Sequence, residues 1–111
     1  MIAIGLMSGT SLDGVDAILV EIKEDKYIPL KFITLPYEEN FKKRILKNLS
    51  DASAKLSEIS SLNYELGYKF VDAIDLLLKD TQYSYKDVDF VASHGQTIWH
   101  DPKGEKCEGA V

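Results

Sequence analysis

Two short stretches of this 111-residue chain concentrate the side chains that can do chemistry. The first runs Gly5-Leu6-Met7-Ser8-Gly9-Thr10-Ser11-Leu12-Asp13-Gly14-Val15-Asp16. Glycines let backbone N–H groups approach an anion closely, and the hydroxyls of Ser8, Thr10 and Ser11 add further donors. Asp13 and Asp16 are of the type that holds a hydrated Mg2+. Together they make a phosphate cradle. The same residue types also build an ordinary hairpin loop, and composition leaves both readings standing. Asp16 is ambiguous in its own right. Strand alternation puts it on the side of Ile18, Val20 and Ile22, where a carboxylate needs a partner or an open cleft. It can equally be a hydrogen-bonded turn aspartate.

The second stretch is Ser93-His94-Gly95-Gln96-Thr97. It follows an apolar run, and ligands of open α/β sheets bind beyond the carboxyl ends of strands. His94 and Gln96 around Gly95 suit sugar hydroxyls; the alternative is a strand-ending loop with a hydrogen-bonded histidine. Trp99 and His100 are less informative, and Asp72 and Asp75 are expected to face solvent from a helix. The sequence holds no Walker-type lysine motif, no Cys/His metal set and no Ser/His/acid arrangement.

The elements that must position these residues are readable from periodicity. Ile2 to Ser8 is almost wholly apolar, as in a central strand buried on both faces. Val15 to Lys23 reads as a second strand, with Val15, Ala17 and Leu19 opposite the Asp16 face. Glu24-Asp25-Lys26 is a polar hairpin turn, and Tyr27 to Leu35 a third strand whose Pro29 places it at a sheet edge. Glu38 to Leu49 repeats Phe41, Ile45 and Leu49 at helical spacing. Leu56 to Leu78 does so more strongly through Leu62, Leu66, Phe70, Ala73 and Leu77. Val88 to Ser93 is expected to be a buried strand, and the tail from His94 onward has little periodicity. Three hairpin-linked strands, a helical crossover and a fourth strand predict a mixed sheet of order 3-2-1-4. That α/β layer resembles a ribonuclease H-like half-domain.

Bulk properties narrow the classes. The length allows one domain, residues 1–111, with a single core. The net charge of −5 argues against a broad nucleic-acid footprint, and no apolar run has the length of a bilayer span. The opening apolar residues lack a positive flank, so no signal peptide is expected. Cys107 is the sole cysteine, which rules out an internal disulfide, and a cytoplasmic location is the expectation.

Taken together, the motifs carry a resemblance. The run GLMSGTSLDGVDA, from Gly5 to Ala17, is similar to the N-terminal signature of anhydro-N-acetylmuramic acid kinases. SHGQT from Ser93 to Thr97, followed by His100 and Pro102, resembles that family's second N-terminal motif. The resemblance implies an actin/hexokinase-like kinase fold and an ATP- and Mg2+-dependent enzyme of cell-wall recycling. It would open the 1,6-anhydro ring of its sugar with water and phosphorylate O6. ATP contacts then fall on Gly9, Thr10, Ser11, Leu12, Asp13, Gly14, Val15 and Asp16, with Asp13 and Asp16 toward the metal. His94, Gln96 and Thr97 fall toward the sugar.

Two departures qualify that reading. Met7 stands where the wider superfamily's first phosphate loop often begins with aspartate. The family's proteins are also much longer, and the Asp-Thr-Gly-Pro-Gly-like motif that carries their water-activating aspartate does not occur here. The catalytic base is therefore expected outside this chain and the isolated chain is expected to be inactive. The chain reads as a truncated gene product, a split subunit or an expressed piece, and a homodimer, or a partner chain supplying the missing portion, is the assembly this allows. Competing readings are another sugar or carboxylate kinase of the superfamily, and a non-catalytic nucleotide-binding or assembly module.

Overall fold

Alternation along the second strand decides how the whole sheet is covered. In the computed structural model, which describes residues 1–9, 12–101 and 109–110, β1 (Ile2–Ser8), β2 (Gly14–Lys23) and β3 (Lys26–Pro36) form an antiparallel meander. The loop between β2 and β3 is Glu24-Asp25, whose left-handed φ values of 45° and 68° are those a two-residue type I′ hairpin turn needs. Pro29 lies on the outer strand, opposite Val20, where the register shifts. A missing N–H is tolerated at such an irregular edge.

Helices α1 (Glu39–Lys47) and α2 (Leu56–Leu78) carry the chain across one face of the sheet and back to β4 (Phe90–Gln96). β4 joins β1 in parallel, so the order is β3-β2-β1-β4. Reciprocal bonds between Ile2 and Asp89 begin that pairing: the Ile2 N–H donates to Asp89 Oδ2 at 2.8 Å and the Asp89 N–H to the Ile2 carbonyl at 2.8 Å. The covered face buries Ile4 and Leu6 of β1 with Val15, Ala17 and Leu19 of β2, against Phe41, Ile45, Leu62, Ala73 and Leu77. Each large apolar side chain so buried contributes roughly 1.5–3 kcal/mol.

Asn48 joins the helices. Its amide donates to the Arg44 carbonyl at 2.8 Å and to Glu58 at 3.0 Å, and its oxygen accepts the Lys55 N–H at 2.9 Å. Asp72 and Asp75 are exposed, as expected. Among the described residues, no helix is long and apolar enough to cross a membrane.

Two expectations need correction. β1 is buried on both faces only at its start: Ala3 is 3% exposed, but on that same face Met7 is 44% exposed. β4 is not a buried strand: Phe90 and Val91 are 45% and 47% exposed. The cause is architectural. Both helices lie on the same side, and among the described residues β4 has β1 on one edge and no strand on the other. The tail also departs from expectation. β4 runs on through Gln96, and β5 (His100–Asp101) pairs with β6 (Gly109–Ala110). Pro102 and Cys107 lie outside the described residues.

Candidate functional site at the carboxyl edge of the sheet

Because β1 and β4 are parallel neighbours, the loops that follow them leave from the same edge. Ser8 ends β1 and Gln96 ends β4, and the two are paired in register although 88 residues apart. The expectation that the two motifs meet at one end of the sheet holds.

The pairing is not regular. Leu6 stands opposite Ser93 and Ser8 opposite Gln96, so β4 carries one more residue than β1 over this step. Gly95 absorbs the extra residue with φ of 74°, and its N–H reaches Ser93 Oγ at 3.2 Å. Such a bulge re-aims the side chain that follows it. Gln96 is thereby turned to the face of Ser8. The Ser8 hydroxyl donates to Gln96 Oε1 and lies 2.5 Å from Tyr37 Oη. Gln96 Nε2 donates to the Thr97 carbonyl at 3.0 Å. Burial pushes the Tyr37 phenol above its ordinary value; the Ser8 hydroxyl, able to turn toward a phenolate, partly opposes this, and the charge of Asp16 adds to it.

The first motif divides between the two faces. Leu12 and Val15 are buried in the core, so their side chains are not open to a ligand. Leu12 has a left-handed φ of 57°, rare for a residue with a branched side chain, and its N–H closes a turn onto the Gly9 carbonyl at 3.1 Å. The missing Cβ of Gly14 faces β3, where an added methyl would lie 2.1 Å from the Leu35 carbonyl oxygen. Glycine there serves strand packing. Thr10 and Ser11 lie outside the described residues.

Asp13 is exposed, 3.9 Å from Lys42 of α1. Asp16 lies on the uncovered face, where Thr34 Oγ1 donates to its Oδ1 at 2.7 Å. No cluster of three His, Cys, Asp or Glu side chains occurs among the described residues. Mg2+ is commonly held by one or two carboxylates with water and phosphate oxygens, so the fit rests on Asp13 and Asp16 taken singly. Asp16 fits this role better than Asp13, which faces a lysine.

Two depressions border the shared edge. One of about 540 Å3 on the uncovered face is lined by Met7, Asp16, Ile18, Phe32 and His94. The other, about 680 Å3, lies between the helices and β4 and combines Phe41, Ile45, Leu66 and Phe70 with His94 and Gln96. His94 reaches both, and Thr97 is placed only by its carbonyl, which accepts from Gln96. Sequence reasoning did not single out Tyr37, Thr34 or Lys42. Each comes from an element outside the motifs, with no local signal beyond Tyr37 standing between a strand-ending proline and a helix.

The fold and site define an α/β layer of the actin-like ATPase half-domain type. The family model for anhydro-N-acetylmuramic acid kinase matches residues 1–109, and the chain belongs to that family. A curated anhydro-N-acetylmuramic acid kinase of Clostridioides difficile (strain 630) is 41% identical over 107 residues, 93% of this chain and 28% of the relative. One of Bacillus cereus (strain Q1) is 40% identical over 105 residues, 91% of this chain and 28% of the relative. The chain thus spans a little over a quarter of the length of these relatives.

Proposed function

We propose that this chain forms the N-terminal part of an ATP-dependent kinase that opens 1,6-anhydro-N-acetylmuramic acid with water and phosphorylates its O6. Cell-wall recycling in the cytoplasm is the setting. The observation that carries this reading is the parallel β1–β4 pair, which sets the phosphate-type loop beside the His94–Thr97 loop. If each loop were merely a turn, nothing would require them to share an edge.

In this reading the roles divide as follows, those of Thr10 and Ser11 resting on the family resemblance alone. Gly9, Thr10, Ser11, Asp13 and Gly14 border the ATP phosphates, and Leu12 and Val15 contribute backbone only. Asp16, with Asp13 as the weaker second carboxylate, holds Mg2+, which neutralises charge on the phosphates when bound. His94, Gln96 and Thr97 face the sugar, giving hydrogen bonds that orient its hydroxyls. Positioning and electrostatics dominate phosphoryl transfer, and the base that activates water lies in the portion of the relatives this chain does not match.

A second polypeptide stretch is part of the proposal. The outer edge of β4 carries exposed apolar side chains on both faces, the pattern of a strand that pairs on both sides. The polypeptide that supplies the relatives' remaining length docks there.

The purified chain alone is expected to give no phosphorylated sugar with ATP and Mg2+, as read by mass spectrometry. Phosphorylation by the chain alone overturns this division of labour. A complete enzyme carrying this N-terminus that prefers another sugar or a carboxylate overturns the substrate.

A further inference from the structure

We infer that Tyr37 and Ser8 form a latch that fixes the amide of Gln96 in one orientation, making both of them positioning residues for the sugar-side loop. The inference rests on the reading that Gln96 faces the sugar, and its geometric part stands independently of that reading.

Proton accounting sets the direction of the network. The Thr97 carbonyl can only accept, so the side of the Gln96 amide facing it must be the nitrogen. The side facing Ser8 is then the oxygen, which also only accepts, and Ser8 must donate its single proton there. With that proton committed, the hydrogen in the 2.5 Å Tyr37–Ser8 bond comes from the phenol. The donor chain therefore runs Tyr37 to Ser8 to Gln96 to Thr97. Burial raises the phenol above its ordinary value, which favours the protonated, donating form. A flipped amide would set oxygen against the Thr97 carbonyl and is disfavoured.

The latch gathers separate parts of the chain. Ser8 belongs to the first motif and Gln96 to the second, and Tyr37 comes from the junction of β3 and α1. Tyr37 grips the first motif twice, because its backbone N–H also donates to the Asp13 carbonyl at 3.1 Å. Its ring is held by Phe41, with centroids 4.9 Å apart. Gly95 completes the device, since its bulge brings Gln96 to the Ser8 face. Held this way, Gln96 offers one remaining N–H and one remaining lone pair in a set direction. That is the requirement for reading a sugar hydroxyl, which both donates and accepts.

The test uses the 15N-labelled chain and its two glutamines, Gln96 and the exposed Gln82. In the native chain, the Gln96 side-chain NH2 signals are expected away from those of Gln82, and to exchange with solvent about tenfold more slowly. In Tyr37→Phe, which keeps the ring against Phe41, the Gln96 signals are expected to move toward those of Gln82, with the amides of β2 and β3 unmoved. Ser8→Ala is expected to do the same. Gln96 signals unmoved in folded Tyr37→Phe overturn the latch, as does a native chain whose two glutamines exchange alike; the second measurement needs no variant. Titration of a complete enzyme carrying this N-terminus with 1,6-anhydro-N-acetylmuramic acid tests the underlying reading separately. Absence of any shift at Gln96 in a chain with an intact latch counts against the sugar role alone.

Discussion

The two faces of the sheet are built from the same strands and have different fates. On one face Ile4, Leu6, Val15, Ala17 and Leu19 are sealed under both helices. On the other, Met7, Asp16, Ile18 and Phe32 line an open depression. The faces do not differ greatly in hydropathy, since Ile18, Val20 and Phe32 are as apolar as their counterparts. They differ in what lies over them. The covered face holds the latch of Ser8, Tyr37 and Gln96, and the uncovered face holds Asp16. The site therefore straddles the end of the sheet, with its ordered hydrogen bonds on the stable side and its charge on the accessible side.

The sharpest way to break this comparison is to truncate matched residues. Leu77 is completely buried, and Leu77→Ala is expected to cost about 2–5 kcal/mol, through lost transfer energy and the cavity left behind. Phe32 is 61% exposed, and Phe32→Ala is expected to cost under about 1 kcal/mol. Urea unfolding of both variants decides it; equal losses would mean that the open face is covered in solution.

A smaller effect separates charge from fold at Asp16. In a complete enzyme with this N-terminus, Asp16→Asn is expected to lower turnover by about tenfold or more while shifting stability by less than about 0.5 kcal/mol. The amide oxygen can still accept the Thr34 hydroxyl, so the fold keeps its contact and the phosphates lose a charge. Turnover measured beside the melting temperature is the check. Normal activity with a lowered melting temperature would make Asp16 structural.

The smallest effect concerns the ion pair between the helices. Arg44 donates to both Glu65 oxygens, at 2.7 and 2.6 Å, and holds the Glu65 carboxyl below its ordinary value. A carboxyl lowered by folding stabilises above its unfolded value, and that stability is lost as pH falls through the folded value. The pair is partly exposed and screened, so the contribution is small. Glu65→Gln is expected to melt slightly below the native chain at pH 7 and alongside it well below pH 4. A gap that persists in acid would assign the loss to packing.

Periodicity carried much of this architecture. The helix over Leu56–Leu78, the strand over Ile2–Ser8 and the order 3-2-1-4 are all as expected, because apolar spacing and turn chemistry are local properties. So is the edge position of Pro29, which follows from its missing N–H. The meeting of the two motifs also followed, since a helical crossover returning to the same sheet favours a parallel neighbour.

What only the tertiary structure decided is which way things face and what they touch. A strand apolar on both sides does not encode which side the helices will cover, and so the exposure of Met7, Phe90 and Val91 was not foreseen. The bulge at Gly95 inserts one residue into the pairing, and alternation counted along the sequence assigns Gln96 to the wrong face. Tyr37 reaches Ser8 across 29 residues, and its bond exists only once β1, β3 and α1 have packed. The amino-acid sequence determined the elements and their order through local spacing. The faces, the bulge and the latch arise from contacts between distant segments, whose energies are set by packing and proton direction and not by any local pattern.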